Sequence, residues 1–559
     1  MNRPQDVQRD TPVTAPEKSF PSLTPIQVAR IAARGRRRLV REGEVLAEVG
    51  DPGLPFFVLV SGQIEIVRSS AADELLITVY GAGQFTGEAS MLSGRRSLVR
   101  ARVSKPGEVI ELSREELLAL VQTDSELSEI IMRAFVLRRV GLIARGLGDV
   151  VLIGSVHSAG TLSAKEFLMR NGHPYSYVDL DRDHDVQELL DRFQVEEADI
   201  PVLICNGDYV LRNPTNQRIA DSLGFNEAID RARIRDLIIV GAGPSGLAAA
   251  VYGASEGLDV LVVEANVPGG QAGASSKIEN YLGFPTGISG QDLTERAYTQ
   301  AQKFGAQVAV ACGATQLRCD RRPYQIGIGE GRFVTAHTVM IATGAEYRKP
   351  SLENSSQFEG AGLYYIATFM EAQLCNGEEV IVVGGGNSAG QAAVFLAQTA
   401  KRVHMLVRSE GLAESMSRYL IRRIEDNPVV KVLTQTELVA LDGDGHLEEV
   451  HWRDNRSGNI TTRKVRHVFF MTGAIPCTGW LNGCVVLDAK GFVKTGTDLT
   501  TEDLISSRWL LRRRPHLLET SLPGVFAVGD VRGGSIKRVA SAVGEGSIAI
   551  SLVHRILHE

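Results

Sequence analysis

The sequence predicts a multidomain fold. An N-terminal antiparallel β-roll with helices is followed by a small mixed α/β unit. A doubly wound, two-dinucleotide-binding α/β portion completes the chain. Three observations predict this. The 559 residues are too many for one core and suit about three or four domains. The hydrophobic pattern changes near residue 150 and again near residue 235. Beyond that point, DLIIVGAGPSG and EVIVVGGGNSAG each place a glycine turn between a β-branched strand pattern and a helical one.

The first 20 residues are polar and Pro-bearing with no apolar core, so no signal peptide is expected, and residues 1–22 read as disordered. No run of about 18 apolar residues occurs, which speaks against a membrane span and for a cytoplasmic protein. A net charge of −6 argues against a dedicated nucleic-acid binder. The basic runs Arg36–Arg38 and Arg512–Arg514 read as solvated faces. The six cysteines are sparse and none forms a CxxC pair, so neither a metal cage nor a disulfide framework is expected. No metal site is expected either.

Residues 23–40 begin with a helical pattern that starts at Thr24-Pro25. Short alternating segments such as FFVLVSG, IEIVRS and ELLITVY then predict an antiparallel unit, and 114–146 predicts one or two helices. From Val150 the order reads β-α-β-α-β-β-α over about 80 residues, with VQELLDRF as its second helix and RIADSLGF closing it.

In the first glycine turn Gly241, Gly243 and Gly246 let the backbone turn tightly at a helix N-terminus, where a pyrophosphate can approach. Glu264, 18 residues after Gly246, ends the next strand, where a carboxylate accepts a ribose 2′-hydroxyl. The second turn holds Gly384, Gly386 and Ala389, and its second strand ends in Arg408. A cation there pairs with a 2′-phosphate that an acid would repel, so NADPH is expected over NADH. His404, on the same strand, reads as a strand residue.

The stretches PGGQ (268–271), KIENYLGFP (277–285), IATG (341–344) and SLPGVFAVGDVRGGSIKRVASAVGEGSIA (521–549) fall around these turns. Over 235–559 the chain resembles the low-molecular-weight thioredoxin reductases. The resemblance implies an FAD domain built from 235–348 and 478–559, a nicotinamide domain over 349–477, and a homodimer. It implies FAD contacts at Gly241, Gly243, Pro244, Ser245, Gly246, Glu264, Gly270, Gln271, Asn280, Thr343, Gly344, Gly529, Asp530, Arg538, Val539 and Ala540. It implies NADPH contacts at Gly384, Gly386, Asn387, Ser388, Ala389 and Arg408. One departure matters: the family's Cys-x-x-Cys positions hold Ile366 and Phe369. Cys375 lies six residues beyond Phe369 and reads as a small packed residue.

Residues 150–232 resemble a thioredoxin or glutaredoxin fold. Pro201 stands at the family's cis-proline, and His157, Ser158 and Gly160 stand about where its thiols would be. Cys205, just beyond the proline strand, reads as buried packing. Residues 23–147 resemble a cyclic nucleotide-binding domain, through REGEVLAEVGDPG, FFVLVSGQIEI and GQFTGEASMLSGRRSLVRARV. That resemblance implies a phosphate cassette at Gly87, Glu88, Arg95, Arg96 and Ser97, with the helices of 114–146 as a lid, and cyclic AMP or another cyclic nucleotide as regulator. Glu88 and Arg96 are eight residues apart, one short of the expected spacing, and Arg-Arg-Ser-Leu replaces the family's Pro-Arg-x-Ala. Two readings therefore stay open for this domain, ligand binding and docking.

The expected activity is hydride transfer from NADPH to FAD, with electrons passed directly to a small-molecule or protein acceptor. That step needs no side-chain acid or base, so no catalytic residue is assigned. Two alternatives stand beside it: a nucleotide-sensing flavoprotein with little turnover, and a thioredoxin-disulfide reductase that uses external thiols.

Overall fold

The computed structural model describes residues 19–559 apart from 52–53, 70–73, 89, 94–95, 98, 145–149, 156–157, 182–198, 206–208, 276, 330, 351, 353, 366, 368 and 414. Residues 1–18 of the expected disordered leader, the expected helix VQELLDRF, His157, Arg95 and Ile366 lie outside these. Two compact units result: Met1–Val150 with Gly172–Ser176 and Asn206–Asp208, and Val151–Asn171 with Tyr177–Cys205 and Tyr209–Glu559.

The first unit is an antiparallel roll of two sheets. One orders Arg36–Val40, Gly107–Leu112 and Phe56–Leu59; the other orders Val45–Ala47, Arg100–Lys105, Gln63–Ser69 and Glu74–Tyr80. Strand periodicity explains why Phe56–Leu59 is buried throughout. Phe57 and Leu59 point into the roll with Ile64 and Val103, while Phe56 and Val58 face a second core with Leu117, Ile131 and Phe135. That second core is covered by helices Arg114–Thr123 and Ser125–Ala144. Ser113 caps the first of these reciprocally with Glu116. Ser19 and Phe20 correct the end of the stretch 1–22 read as disordered. Ser19 is buried, and Phe20 packs 6.0 Å from the Tyr80 ring. The reason is a partner 119 residues away in sequence, the Arg138 guanidinium, which the leader's polarity gave no sign of.

A small sheet beginning at Val150 runs Tyr209–Arg212, Val202–Cys205, Val150–Gly154, Tyr175–Asp179, with helices Ala159–Arg170 and Asn216–Ser222. The Ile200–Pro201 peptide is cis.

A larger sheet orders Gln307–Ala309, Val260–Val263, Ile234–Val240, Arg332–Ile341, Tyr324–Ile328 and Ala314–Arg318. Its first four strands are parallel and the last two antiparallel. Val525–Ala527 joins it as a parallel neighbour of Arg332–Ile341, so the end of the chain returns to the sheet its middle began. The C-terminal helix Val539–His558 lies against Pro244–Ser255. The approach is so close that a Cβ on Gly546 would sit 2.3 Å from the Ser245 carbonyl oxygen.

A parallel five-stranded sheet carries the second turn: Leu363–Tyr364, His467–Phe470, Glu379–Val383, Arg402–Val407 and Val430–Thr434. The chain enters and leaves this region through a two-stranded ribbon, Ala345–Tyr347 with Ala474–Pro476.

One disulfide, Cys319–Cys484, joins two of the cysteines expected to form no disulfide framework. Its cysteines are 165 residues apart in sequence. They meet because the second chain segment folds back beside Ala314–Arg318, a juxtaposition invisible to sequence spacing.

Candidate functional site

Two glycine turns dominate the second unit. At the first, Gly241 adopts φ +105°, and a Cβ there would lie 2.3 Å from the Ala342 oxygen. A Cβ on Gly246 would lie 1.9 Å from the Gly241 oxygen. Only glycine fits either position. Gly243 is the N-cap of Pro244–Ser255 and makes no side-chain cap bond, and a Cβ there would meet nothing within 4 Å. Open space thus borders Gly243 at the start of that helix, a position that suits an anion.

Glu264 is tied to this turn. Its Oε2 accepts the Ala242 N–H at 2.7 Å and its Oε1 the Asn266 N–H at 2.9 Å. Burial raises its carboxyl, and these donors together with the Arg170 charge oppose the rise. The expected ribose contact would use the lone pairs that remain. The PGGQ loop packs on the turn: Gly269 N–H donates to the Ala242 oxygen at 2.7 Å, and a Cβ on Gly270 would lie 3.1 Å from Gly243 Cα. Gln271 donates to the Ala345 oxygen, and Thr343 Oγ1 donates to the Cys477 oxygen at 2.8 Å. Gly344 turns with φ +66° into the ribbon.

From the far end of the chain, Gly529 N–H donates to Glu545 Oε2 at 2.6 Å. A Cβ on Gly529 would lie 2.6 Å from Ser245 Oγ, so the Asp530 loop sits on the first helix. Burial raises the Asp530 carboxyl. Arg538 is the exposed N-cap of Val539–His558 and makes no side-chain cap bond, so the Val539–Ala540 turn is another helix start without a side-chain cap. Asn280 is exposed in a loop where Tyr281 and Phe284 stack 6.1 Å apart. The glycine cradles, the tethered acid and the two uncapped helix starts fit an extended dinucleotide.

The second turn repeats the build. Gly384 has φ +139°, and a Cβ there would lie 2.5 Å from the Met471 oxygen. Gly386 caps Asn387–Leu396 with no side-chain bond, and Ala389 is buried beneath it. Ser388 is exposed, and Asn387 Oδ1 accepts the Ser417 N–H at 2.8 Å. Arg408 is exposed and makes no ion pair among the described residues. Sequence reading missed Ser415, whose hydroxyl donates to the Gly385 oxygen at 2.9 Å. The spacing of SEGLAESMS gave no signal for it. His404 is a sheet residue: it is buried, with Nε2 3.0 Å from Glu379 Oε2.

Thiol chemistry finds little support here. Phe369 opens the helix Phe369–Leu374. Cys375 just beyond it is fully buried, and burial pushes its thiol up to about 12. Burial likewise pushes Cys477 up to about 11. Cys205 is buried on its strand.

In the first unit, Gly87 turns with φ +101° against Met91 and Phe135. Glu88 Oε2 lies 3.5 Å from Arg139 Nη1. Arg138 is buried and donates to the oxygens of Ser19 (2.8 Å), Phe85 (3.0 Å) and Gly87 (2.8 Å). Its guanidinium lies 4.6 Å from the Phe85 centroid. Sequence reading missed this pair, although two adjacent arginines within the apolar run AFVLRRVGLIA were the available signal. Arg96 is exposed, and Ser97 is buried with its hydroxyl donating to the Val99 oxygen at 2.7 Å.

Two glycine-turn α/β sheets joined by a two-stranded ribbon define a two-nucleotide oxidoreductase. Residues 235–546 match the pyridine nucleotide-disulphide oxidoreductase family, and the chain belongs to that family. Residues 37–124 match the cyclic nucleotide-binding domain family. A thioredoxin reductase of Treponema pallidum is 34% identical over 314 residues, covering 56% of this chain and 94% of that protein. NADPH-dependent thioredoxin reductase 3 of Arabidopsis thaliana is 31% identical over 368 residues, which is 63% of this chain; the match spans 65% of the plant protein's length. The crystal structure of Lactococcus lactis thioredoxin reductase in its FR conformation matches with a TM-score of 0.52 at 25% identity, covering 58% of this chain and 99% of that one. Among the described residues no helix is long and apolar enough to cross a membrane.

Proposed function

We propose that this chain is an NADPH-dependent FAD oxidoreductase whose electrons pass from the flavin to an external acceptor without a protein dithiol. One observation carries the reading: both nucleotide turns are intact, while the family's cysteine positions hold Ile366 and Phe369, and Cys375 is sealed away.

Bound FAD and NADPH would supply the redox chemistry, a hydride passing from nicotinamide to isoalloxazine. The chain supplies binding and orientation. Gly241, Gly243 and Gly246 would admit the FAD pyrophosphate to the helix N-terminus, and Glu264 would hold the ribose. The Asp530 loop and the Val539–Ala540 turn would flank the flavin. Gly384, Gly386 and Ala389 would seat the second dinucleotide, with Arg408 on its 2′-phosphate. A homodimer in the cytoplasm goes with this reading.

The unit at 150–232 is read as thioredoxin-like with its redox positions replaced. Cis Pro201 faces the start of helix Ala159–Arg170, where a Cβ on Gly160 would lie 2.9 Å from Pro201 Cδ. Ser158 caps that helix in place of a thiol. The N-terminal domain is read as a regulatory site for cyclic AMP or a similar nucleotide. A ligand at Glu88 would have to compete with Arg139.

Anaerobic mixing of the purified holoprotein with NADPH tests the central reading. Flavin bleaching, followed by reoxidation with oxygen or a quinone, is expected. Flavin that stays oxidised under NADPH favours a sensor, and reduction of thioredoxin favours the route through external thiols.

A further inference from the structure

The unit at 150–232 lies outside the matched range 235–546, yet it is seated against the first nucleotide turn. Arg170 ends its helix Ala159–Arg170, with a side chain only 12% exposed. Nη1 pairs with Glu166 Oε1 at 2.9 Å, and Nη2 donates to the Gly270 oxygen in the PGGQ loop at 2.9 Å. Nε is buried and has no acceptor among the described residues. Gln291 Nε2 donates to the Met169 oxygen at 3.1 Å, beside it. Asn226, in the segment leading into the reductase portion, pairs both ways with the Val310 backbone at 2.9 and 2.8 Å.

An open groove of about 470 Å³ lies along the same seam. That volume is within the roughly 300–1,000 Å³ of small-molecule pockets. Gly160, Ser163 and Gln217 line one side; Ala265, Asn266 and Gly313 line the other. Ala265 and Asn266 directly follow Glu264, the acid expected to hold the FAD ribose. A base carried by that ribose would have this groove beside it.

We propose that the small α/β unit is the outer wall of the adenosine half of the FAD site. Gln217 and Ser163 border the base, and Arg170 is a positioning residue that holds the Gly270 loop. The inference rests on the FAD reading above and deepens it. It gives a unit that lacks a Cys-x-x-Cys pair a use: retaining the flavin rather than exchanging disulfides. The carboxyl of Glu264, already opposed by burial, gains a cation from the same unit.

The test uses full-length protein carrying Gln217→Trp, Arg170→Ala or Arg170→Lys. The rate of flavin release on dilution is followed by fluorescence, and ADP and FMN binding to each apoprotein by calorimetry. Filling the groove with Gln217→Trp is expected to weaken FAD and ADP by about tenfold or more and to leave FMN, which lacks adenosine, unchanged. Arg170→Ala is expected to speed FAD release, and Arg170→Lys, which keeps one donor for the Gly270 oxygen, to recover part of the loss. Wild-type protein that holds flavin, with FAD and ADP affinities unaltered in Gln217→Trp, overturns this inference alone. Equal losses of FAD and FMN also overturn it, because they mean general loosening. Wild-type protein that binds no FAD removes the proposed function and this inference together.

Discussion

The Cys375 thiol donates to the Glu371 carbonyl oxygen at 2.9 Å, one turn back along the chain. Its sulfur is fully buried and protonated across the physiological range, since burial pushes the thiol up to about 12. A thiol raised this far is neither a nucleophile nor a flavin partner. Cys375→Ala is expected to leave NADPH-driven turnover within about twofold. In the folded protein Cys375 should resist DTNB at pH 8, with reactivity appearing only as the pH climbs toward that value or the protein unfolds. Loss of turnover in Cys375→Ala would restore a role for sulfur.

Arg408 sets coenzyme choice under the proposed function. A charge-assisted hydrogen bond is worth about 1.5–3 kcal/mol, so Arg408→Ala should raise the KM for NADPH by roughly 10- to 100-fold. The KM for NADH should barely move. Steady-state kinetics with both coenzymes measures the split; equal effects on the two would show that Arg408 does not meet the 2′-phosphate.

Two glycines of the first turn should fail differently. A Cβ on Gly246 collides with the Gly241 oxygen at 1.9 Å, so Gly246→Ala should destabilise the apoprotein by about 1–3 kcal/mol or more. Gly243 has φ −70° and open space around its Cβ. Gly243→Ala should therefore keep the apoprotein's melting temperature and lose flavin, because the methyl group enters the space assigned to pyrophosphate. Thermal melts and flavin content, measured together, separate the two.

Arg138 and Arg133 share a helix and should differ sharply. Arg138 is buried on three carbonyl oxygens, so Arg138→Ala should cost the first unit about 3 kcal/mol or more. Arg133 makes an exposed ion pair with Glu129, and Arg133→Ala should stay within about 0.5 kcal/mol. Chemical denaturation of the two variants checks the contrast.

The Cys319–Cys484 bridge closes a loop across 165 residues. In the chain-entropy model, a loop of that length constrains the unfolded state by about 5 kcal/mol. Cys484→Ser should lower the denaturation midpoint of the reductase portion and leave the N-terminal unit's transition in place. Unfolding followed with and without reductant reads the difference. An unchanged midpoint would mean that the bridge adds nothing to stability.

Much of this molecule is local and therefore legible in the chain. Turn chemistry is local, so Gly241, Gly246 and Gly384 could be read directly from their strand and helix surroundings. The FFVLVSG stretch is likewise legible as a strand, although its burial on both faces emerges only in the fold. Long-range contacts are different, because nothing in residue spacing encodes which surfaces meet. Only the tertiary structure brought Cys319 to Cys484, Arg138 to Ser19, His404 to Glu379 and Arg170 to Gly270. In each case a side chain is satisfied by a group from a distant part of the chain, and folding alone brings the two together.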